Sequence, residues 1–265
     1  VFWRSRRYAE EYTEGEWRSL FRRRVYDDLV RSFTRRYLPK ERAEVLDAGG
    51  GSGRWALDFT RLGHHVVLLD FSRPMLHLAR EKTGRLLREG AAALILADVH
   101  LLPFSAEAFD FIFVEADPFT QGGRKGDILA ALRQLYRVLR PGGFMVGSVS
   151  GRYAIAVEEI QRAKTIEDVR RAVQVLRTGE YLAAPGDPTS LLYLFTPREL
   201  RETLREVGFR VDKIESTITL SHFLPKHLEE RGEVLELLLE LEGFVRGTPE
   251  AAPYSRRMHF AAQKE

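Results

Sequence analysis

The sequence predicts an α/β fold, a doubly wound, mostly parallel seven-stranded sheet carrying helical lid insertions. Three observations carry this expectation. A short apolar run (Val45, Leu46) ends in Asp47 and passes through a glycine-rich turn into a helix-compatible segment, Arg54 to Leu62. Strands and helices then alternate as βαβαβ up to Ser150, the order that builds a parallel sheet with helices on both faces. Finally, the strand candidates at His64–Asp70 and Phe109–Val114 are apolar almost throughout, as strands buried on both faces must be.

The glycine turn organises the rest. Gly49, Gly51 and Gly53 are spaced so that backbone can pass close to a ligand. Arg54 stands where a dinucleotide fingerprint would place its last glycine, so the turn fits a nucleoside ligand better than a pyrophosphate resting on a helix N-terminus. Asp70 closes the second strand about 20 residues further on, where a carboxylate can accept both hydroxyls of a ribose. Ser72 reads as the cap of the next helix, with Pro74 in its first turn, which leaves Asp70 to the ligand.

Residues 1–43 read as an N-terminal helical cap of one or two helices. Tyr8, Tyr12 and Trp17 are followed by Leu20, Phe21, Val25, Tyr26, Leu29, Val30, Phe33 and Tyr37 at helical spacing. This segment holds twelve Lys and Arg against seven Asp and Glu, read as a solvated helix face in preference to a nucleic-acid arm. The α/β core occupies 44–150. Its helices are expected at 74–89 and 127–139, its third strand at 92–97 before Asp98 and Val99, and its fifth at Phe144–Val149 after the Arg140–Gly143 turn. An insertion at 151–195 holds a charged helix (158–177) and an apolar run, Leu191–Phe195, that suits a cavity wall or a buried strand. The remainder, 196–265, returns to the core. Thr196-Pro197-Arg198-Glu199 caps a helix to 206, strand six starts at Phe209, a second helical insertion covers 225–246, and a strand at 257–263 ends the sheet.

Composition narrows the chemistry. With no cysteine there is no disulfide, no thiolate metal site and no cysteine nucleophile. No metal site is expected; the adjacent His64 and His65 would point to opposite faces of a strand. No apolar run approaches the ~18 residues of a membrane span, and the arginine-rich start shows no export signal, so no membrane partner and a cytoplasmic location are expected. The chain has no asparagine and far more arginine than lysine, a composition like that of heat-adapted proteins.

Taken in order, Val-Leu-Asp-Ala-Gly-Gly-Gly-Ser-Gly (45–53), Asp70, Ala-Asp-Val-His-Leu-Leu-Pro-Phe (97–104), Phe-Asp-Phe-Ile-Phe (109–113) and Leu-Arg-Pro-Gly-Gly (139–143) resemble the class I S-adenosylmethionine-dependent methyltransferases, in particular their small-molecule branch of the methyltransferase type 11 kind. The resemblance implies a Rossmann-like sheet and S-adenosyl-L-methionine as cofactor, with S-adenosyl-L-homocysteine as product. It also implies roles for individual residues. Asp47, Gly49, Gly51 and Gly53 would pack against the methionine part, and Asp70 would bind the ribose. Phe71 and Met75 would flank the adenine, while Asp98 and Val99 would read its amino edge. Glu115 and Ala116 would pass the methionine and the reacting methyl, and Tyr12 would close over the cofactor.

Such chemistry asks the protein mainly to hold a nucleophile in line and to exclude water. A base is needed only where the acceptor arrives protonated, and Glu115, His222 and Tyr153 are the candidates, with Asp117 and His100 behind them. The reading is transfer of a methyl group to oxygen, nitrogen or carbon of a small molecule, with the insertions and N-terminal helices choosing the acceptor. Methylation of RNA or protein through the basic N-terminus is the less favoured alternative, and a non-catalytic cofactor-binding protein is another. No nucleic-acid methylation motif is complete; Asp117-Pro118-Phe119 matches one only in part.

Overall fold

In the computed structural model, which describes residues 2–18, 22–228 and 231–265, the apolar runs pair into one seven-stranded sheet. In chain order the strands are β1 (Glu44–Ala48), β2 (His65–Asp70), β3 (Ala92–Leu96), β4 (Phe109–Val114), β5 (Leu139–Ser150), β6 (Glu180–Leu182), β7 (Leu191–Tyr193), β8 (Phe209–Ile218) and β9 (Arg257–Lys264). The sheet runs β3-β2-β1-β4-β5-β9-β8, with β6 and β7 making a separate antiparallel ribbon. All neighbours from β3 to β5 are parallel, and only β9, between β5 and β8, runs antiparallel.

Helices cover both faces. On one side α2 (Asp27–Thr34), α3 (Arg54–Arg61) and α4 (Arg73–Arg88) pack Val30, Phe33, Trp55, Phe59 and Ala79 onto Val45, Val66 and Phe111. On the other, α5 (Lys125–Val138) and α8 (Pro197–Val207) bury Leu132, Leu135, Leu200 and Leu204 against Ile112, Met145 and Phe260. These side chains point to alternate faces of strands that are buried twice, which is why the strand sequences read as unbroken apolar runs.

Three expected boundaries move. The helix expected over 158–177 is two helices, α6 (Arg152–Arg162) and α7 (Ile166–Thr178). Thr165 forms a capping box with Asp168, whose carboxylate accepts the Thr165 N–H at 2.8 Å, so the chain starts afresh there. The fifth strand begins at Leu139 because Leu139 already pairs with Phe109 of β4; the Arg-Pro-Gly-Gly segment then lies in the irregularity before Phe144 pairs with Phe111. The last helix, α9 (Gly232–Val245), starts later than 225, after a 3-10 turn at Lys226–Leu228.

The N-terminal region is α1 (Arg6–Arg18), a π-helical turn (Arg22–Tyr26) and α2. Arg6 and Arg7 bond Glu10 and Glu11 one helical turn on, at 2.7 and 2.8 Å, as exposed pairs on a solvated face do. Leu20 and Phe21 lie outside the described residues, as does the Trp17 side chain. Helix α9 packs Leu235 and Leu238 against Val25, Leu29 and Ile218, and therefore props the π turn and α2 from behind. Among the described residues no helix is long and apolar enough to cross a membrane.

Candidate functional site

Strand order reverses between β1 and β4, and in such sheets a crevice opens at the carboxyl ends of the strands. There a cavity of about 340 Å³, within the range of small-ligand pockets, is lined by the segments that follow β1, β2, β3 and β4. Asp47, Gly49, Gly51, Asp70, Phe71, Met75, Asp98, Val99, Glu115 and Ala116 all face it, together with Tyr12 from α1. Gly53 does not line it, but packs where a Cβ would meet Ala79 and Thr83 of α4 at 3.3 Å.

The floor is the glycine turn. A Cβ on Gly50 would lie 2.6 Å from Asp47 Oδ2 and from Leu68, and one on Gly49 would lie 2.6 Å from Pro118, so the loop closes this tightly only without side chains. Gly50 is thus a steric requirement that the spacing of Gly49, Gly51 and Gly53 did not single out. Asp47 is buried with Oδ2 lacking any hydrogen-bond partner. Burial, followed by the nearby Asp70 charge, raises its carboxyl to about 8.

Asp70 is held by the backbone. Its Oδ2 accepts the Gly51 N–H at 3.0 Å and its Oδ1 the Ser72 N–H at 2.8 Å. Ser72 occupies the cap position of α4, yet its hydroxyl makes no cap bond and has no partner, so the expected division of labour is altered: Asp70 ties the turn as well as facing the cavity. Burial outweighs these N–H groups and lifts the Asp70 carboxyl to about 6.

Asp98 is engaged by His100, whose Nδ1 lies 2.5 Å and whose N–H lies 3.0 Å from Asp98 Oδ1. That bond holds the carboxylate below its ordinary range and raises the imidazole. Arg4 reaches Asp98 Oδ2 at 3.7 Å and sits 4.8 Å above the Phe71 ring. The roof was legible only in part. Beside Tyr12, Trp3 and Tyr8 also line the cavity, with Tyr8 stacked on Tyr12 at 5.6 Å between centroids.

Glu115 forms the back wall. Its carboxylate accepts from the Tyr26 hydroxyl, from Ser148 Oγ at 2.6 Å, and meets His259 Nε2 at 3.0 Å. Burial alone works against the charge, but the His259 ring and these hydrogen bonds prevail and hold the carboxyl at about 2. After it, Ala116 and Asp117 are consecutive non-glycine residues at φ 64° and 71°. Asp117 anchors this strained turn by accepting Ser150 N–H at 2.7 Å, Ser150 Oγ at 2.8 Å and a donor of Arg257.

Tyr12 and Ala116 also line an adjoining space of two lobes, about 270 and 330 Å³, walled by Glu158, Arg162, Arg256 and Arg257. His222 faces one lobe, with Nε2 2.8 Å from Glu158. Tyr153 lines neither cavity, which corrects its candidacy. It lies half a turn round α6 from the inward-facing Ile155, stands 38% exposed, and packs on Tyr254. The 225–246 segment, expected as part of a lid, supplies no described residue to these cavities; its packing contacts run to the π turn and α2 instead.

Residues 45–143 match the methyltransferase domain family. Over 101 residues the chain is 42% identical to the malonyl-[acyl-carrier protein] O-methyltransferase of Salmonella typhimurium, covering 38% of this chain and 36% of that protein. It is 36% identical over 104 residues to the ubiquinone/menaquinone biosynthesis C-methyltransferase UbiE of Pasteurella multocida, covering 38% of this chain and 37% of that one. The chain thus spans little more than a third of the length of these curated relatives. An S-adenosylmethionine-dependent methyltransferase from Methanosarcina mazei has the same fold, with a TM-score of 0.59 at 19% identity over 88% of this chain and 96% of its own. Residues 45–143, which hold the glycine turn and the carboxylates after β2, β3 and β4, are thus the stretch that is similar to S-adenosylmethionine-dependent methyltransferases.

Proposed function

We propose that the chain transfers a methyl group from S-adenosylmethionine to a small-molecule acceptor, with the 340 Å³ cavity as cofactor site. The observation that carries this reading is the buried Asp47–Asp70 pair beneath the glycine turn. One orphaned carboxylate oxygen and a second carboxylate held by two N–H groups form a preset acceptor surface for the hydroxyl and amino groups of a nucleoside-bearing amino acid. Asp98 and Glu115, both held below the ordinary carboxylate range, put negative charge on the cavity, which suits a ligand bearing a sulfonium and an ammonium; Asp47 and Asp70, both raised by burial, would ionise more readily beside such cations.

Asp70 is assigned to the ribose hydroxyls, Phe71 and Met75 to the adenine faces, and Asp98 with the Val99 backbone to its edge. The Asp47–Gly53 turn and Glu115 are assigned to the methionine portion. When bound, S-adenosylmethionine would supply a methyl group activated on sulfur, open to in-line attack by an electron pair of the acceptor with S-adenosylhomocysteine as the leaving group. Tyr12 and Ala116 stand between the two cavities and set the direction from which that electron pair arrives; the aromatic roof of Trp3, Tyr8 and Tyr12 keeps water out. A carboxyl held at about 2 is too weak a base to draw a proton, so Glu115 is assigned to positioning. His222, in the adjoining lobe, is assigned as proton acceptor for an acceptor that arrives protonated. The malonyl and quinone-pathway methyltransferases named above both modify small molecules or small groups on a carrier, which supports an acceptor of that class.

Titration calorimetry with S-adenosylhomocysteine tests the reading. Saturable binding is expected, weakened at least tenfold by Asp70→Ala. Absence of heat with the wild-type chain would overturn it.

A further inference from the structure

We propose that the two-lobed space beside the cofactor cavity binds the acceptor by a carboxylate group, with Arg162, Arg256 and Arg257 as its anion-binding residues. The proposal rests on the reading of the first cavity as the S-adenosylmethionine site.

The two spaces differ sharply in charge. The first is ringed by acidic side chains; the second places three guanidinium groups on its walls. Glu158 takes Arg256 Nε at 2.6 Å and Arg162 at 3.2 Å, and Asp117 takes Arg257. Among the side chains that wall this space, three guanidinium groups face two carboxylates, with Glu115 of the first cavity behind Arg257 and set against His259, and one positive charge is left over. That surplus is balanced by a monoanion such as a carboxylate, whereas a phosphate dianion would leave the site net negative.

The donors are placed for such a ligand. Arg256 spends Nε on Glu158 and one terminal nitrogen on Ser150 Oγ at 3.1 Å, which does not exhaust the five N–H donors of a guanidinium. Burial, and then the adjacent Arg257, push Arg256 below the ordinary guanidinium range, so an anion at this point relieves a like-charge neighbour. Arg162, whose side chain is 68% exposed, stands at the rim. Ile155, Leu192, Leu194 and Ile218 complete the walls with apolar surface, which fits the carbon skeleton of an organic acid. The junction at Tyr12 and Ala116 then lets the acceptor extend from its anchored carboxylate toward the cofactor cavity.

The test titrates the S-adenosylhomocysteine-loaded protein with acetate, succinate, benzoate and inorganic phosphate by calorimetry. At least one carboxylate is expected to saturate, more tightly than phosphate. Arg162→Gln should weaken it on the order of tenfold and Arg256→Gln by more, while S-adenosylhomocysteine affinity stays within about twofold in both. The rim position of Arg162 keeps its variant informative even where Arg256→Gln fails to fold. The proposal is overturned where no carboxylate saturates, where phosphate binds more tightly, or where Arg162→Gln binds the carboxylate as the wild type does. Failure of the wild type to take up S-adenosylhomocysteine is seen before any acid is added, and counts against the cofactor assignment instead.

Discussion

Arg54 and Asp27 form a buried ion pair, with Nη1 2.8 Å from Oδ1 and side chains only 9% and 4% exposed. The guanidinium also lies 4.6 Å above the Trp55 ring. The residue that departs from the dinucleotide pattern therefore has a structural use: it rivets α2 to the first turn of α3, beside the cofactor cavity that it also lines.

Removing one member of this pair is costly. Arg54→Met takes from the buried Asp27 its cation at 2.8 Å and leaves Arg31, further off at 3.7 Å. The expected loss is about 3 kcal/mol of folding stability, read as a lower urea midpoint. The double variant Arg54→Met with Asp27→Leu should recover most of that loss, because no buried charge is left alone. Equal loss in the single and double variants would show that the contribution is packing rather than charge.

Ala116 offers a change in the opposite direction. At φ 64° it occupies the left-handed region that costs an L-residue about 1–2 kcal/mol, and its place is fixed by the Asp117 anchor. Ala116→Gly removes the steric cost but frees the unfolded chain, so a net gain of about 0.5–1 kcal/mol is expected. Thermal unfolding measures it. A loss of stability would mean that the methyl group makes packing contacts worth more than the backbone strain.

Most of the sheet was legible because its signals are local. Apolar runs, glycine turns and the Thr196 capping box each lie within a few residues of the element they define. The break at Thr165 used the same kind of signal, Thr-Ile-Glu-Asp, but was masked by charged residues that read as one continuous helix. The cofactor cavity was legible where carboxylates follow strands. Its roof and the neighbouring basic cavity were not, since they depend on partners far apart in the chain: Arg257 meets Asp117 across 140 positions, and Tyr26 meets Glu115 across 89. Nothing in the local pattern of Ser-Arg-Arg-Met, where the last strand begins, announces that two of its side chains turn into a cavity.

Glu242 tests how firmly α9 holds the turn after β8. Its carboxylate accepts the N–H groups of Thr219 at 3.0 Å, Leu220 at 2.9 Å and Ser221 at 2.7 Å, and so stitches the turn after β8 to the last helix. Glu242→Leu leaves these donors without a partner, and a loss of about 3 kcal/mol is expected, whereas Glu242→Gln keeps an acceptor oxygen and should lose about half as much. Denaturant titration distinguishes them. Equal losses would place the effect in the negative charge rather than in the hydrogen bonds.

The acidic pair beneath the glycine turn makes ligand binding and stability depend on pH in opposite senses. Asp70 titrates near about 6 and Asp47 near about 8 in the folded chain, both above an ordinary value of 3.8. A raised carboxyl means that the folded state holds more protons than the unfolded one, so stability without ligand falls as pH rises from about 4 to about 8. Hydroxyl groups of a ribose donate best to an ionised carboxylate, so binding of S-adenosylhomocysteine draws the proton off Asp70. Affinity should rise up to about tenfold per pH unit below about 6 and flatten above it. Calorimetry in two buffers of different ionisation enthalpy, at about pH 6, should register proton release on binding. Asp70→Asn should bind weakly and without this release; a variant that still releases the proton would move the titration to Asp47 and leave the ribose assignment without its pH signature.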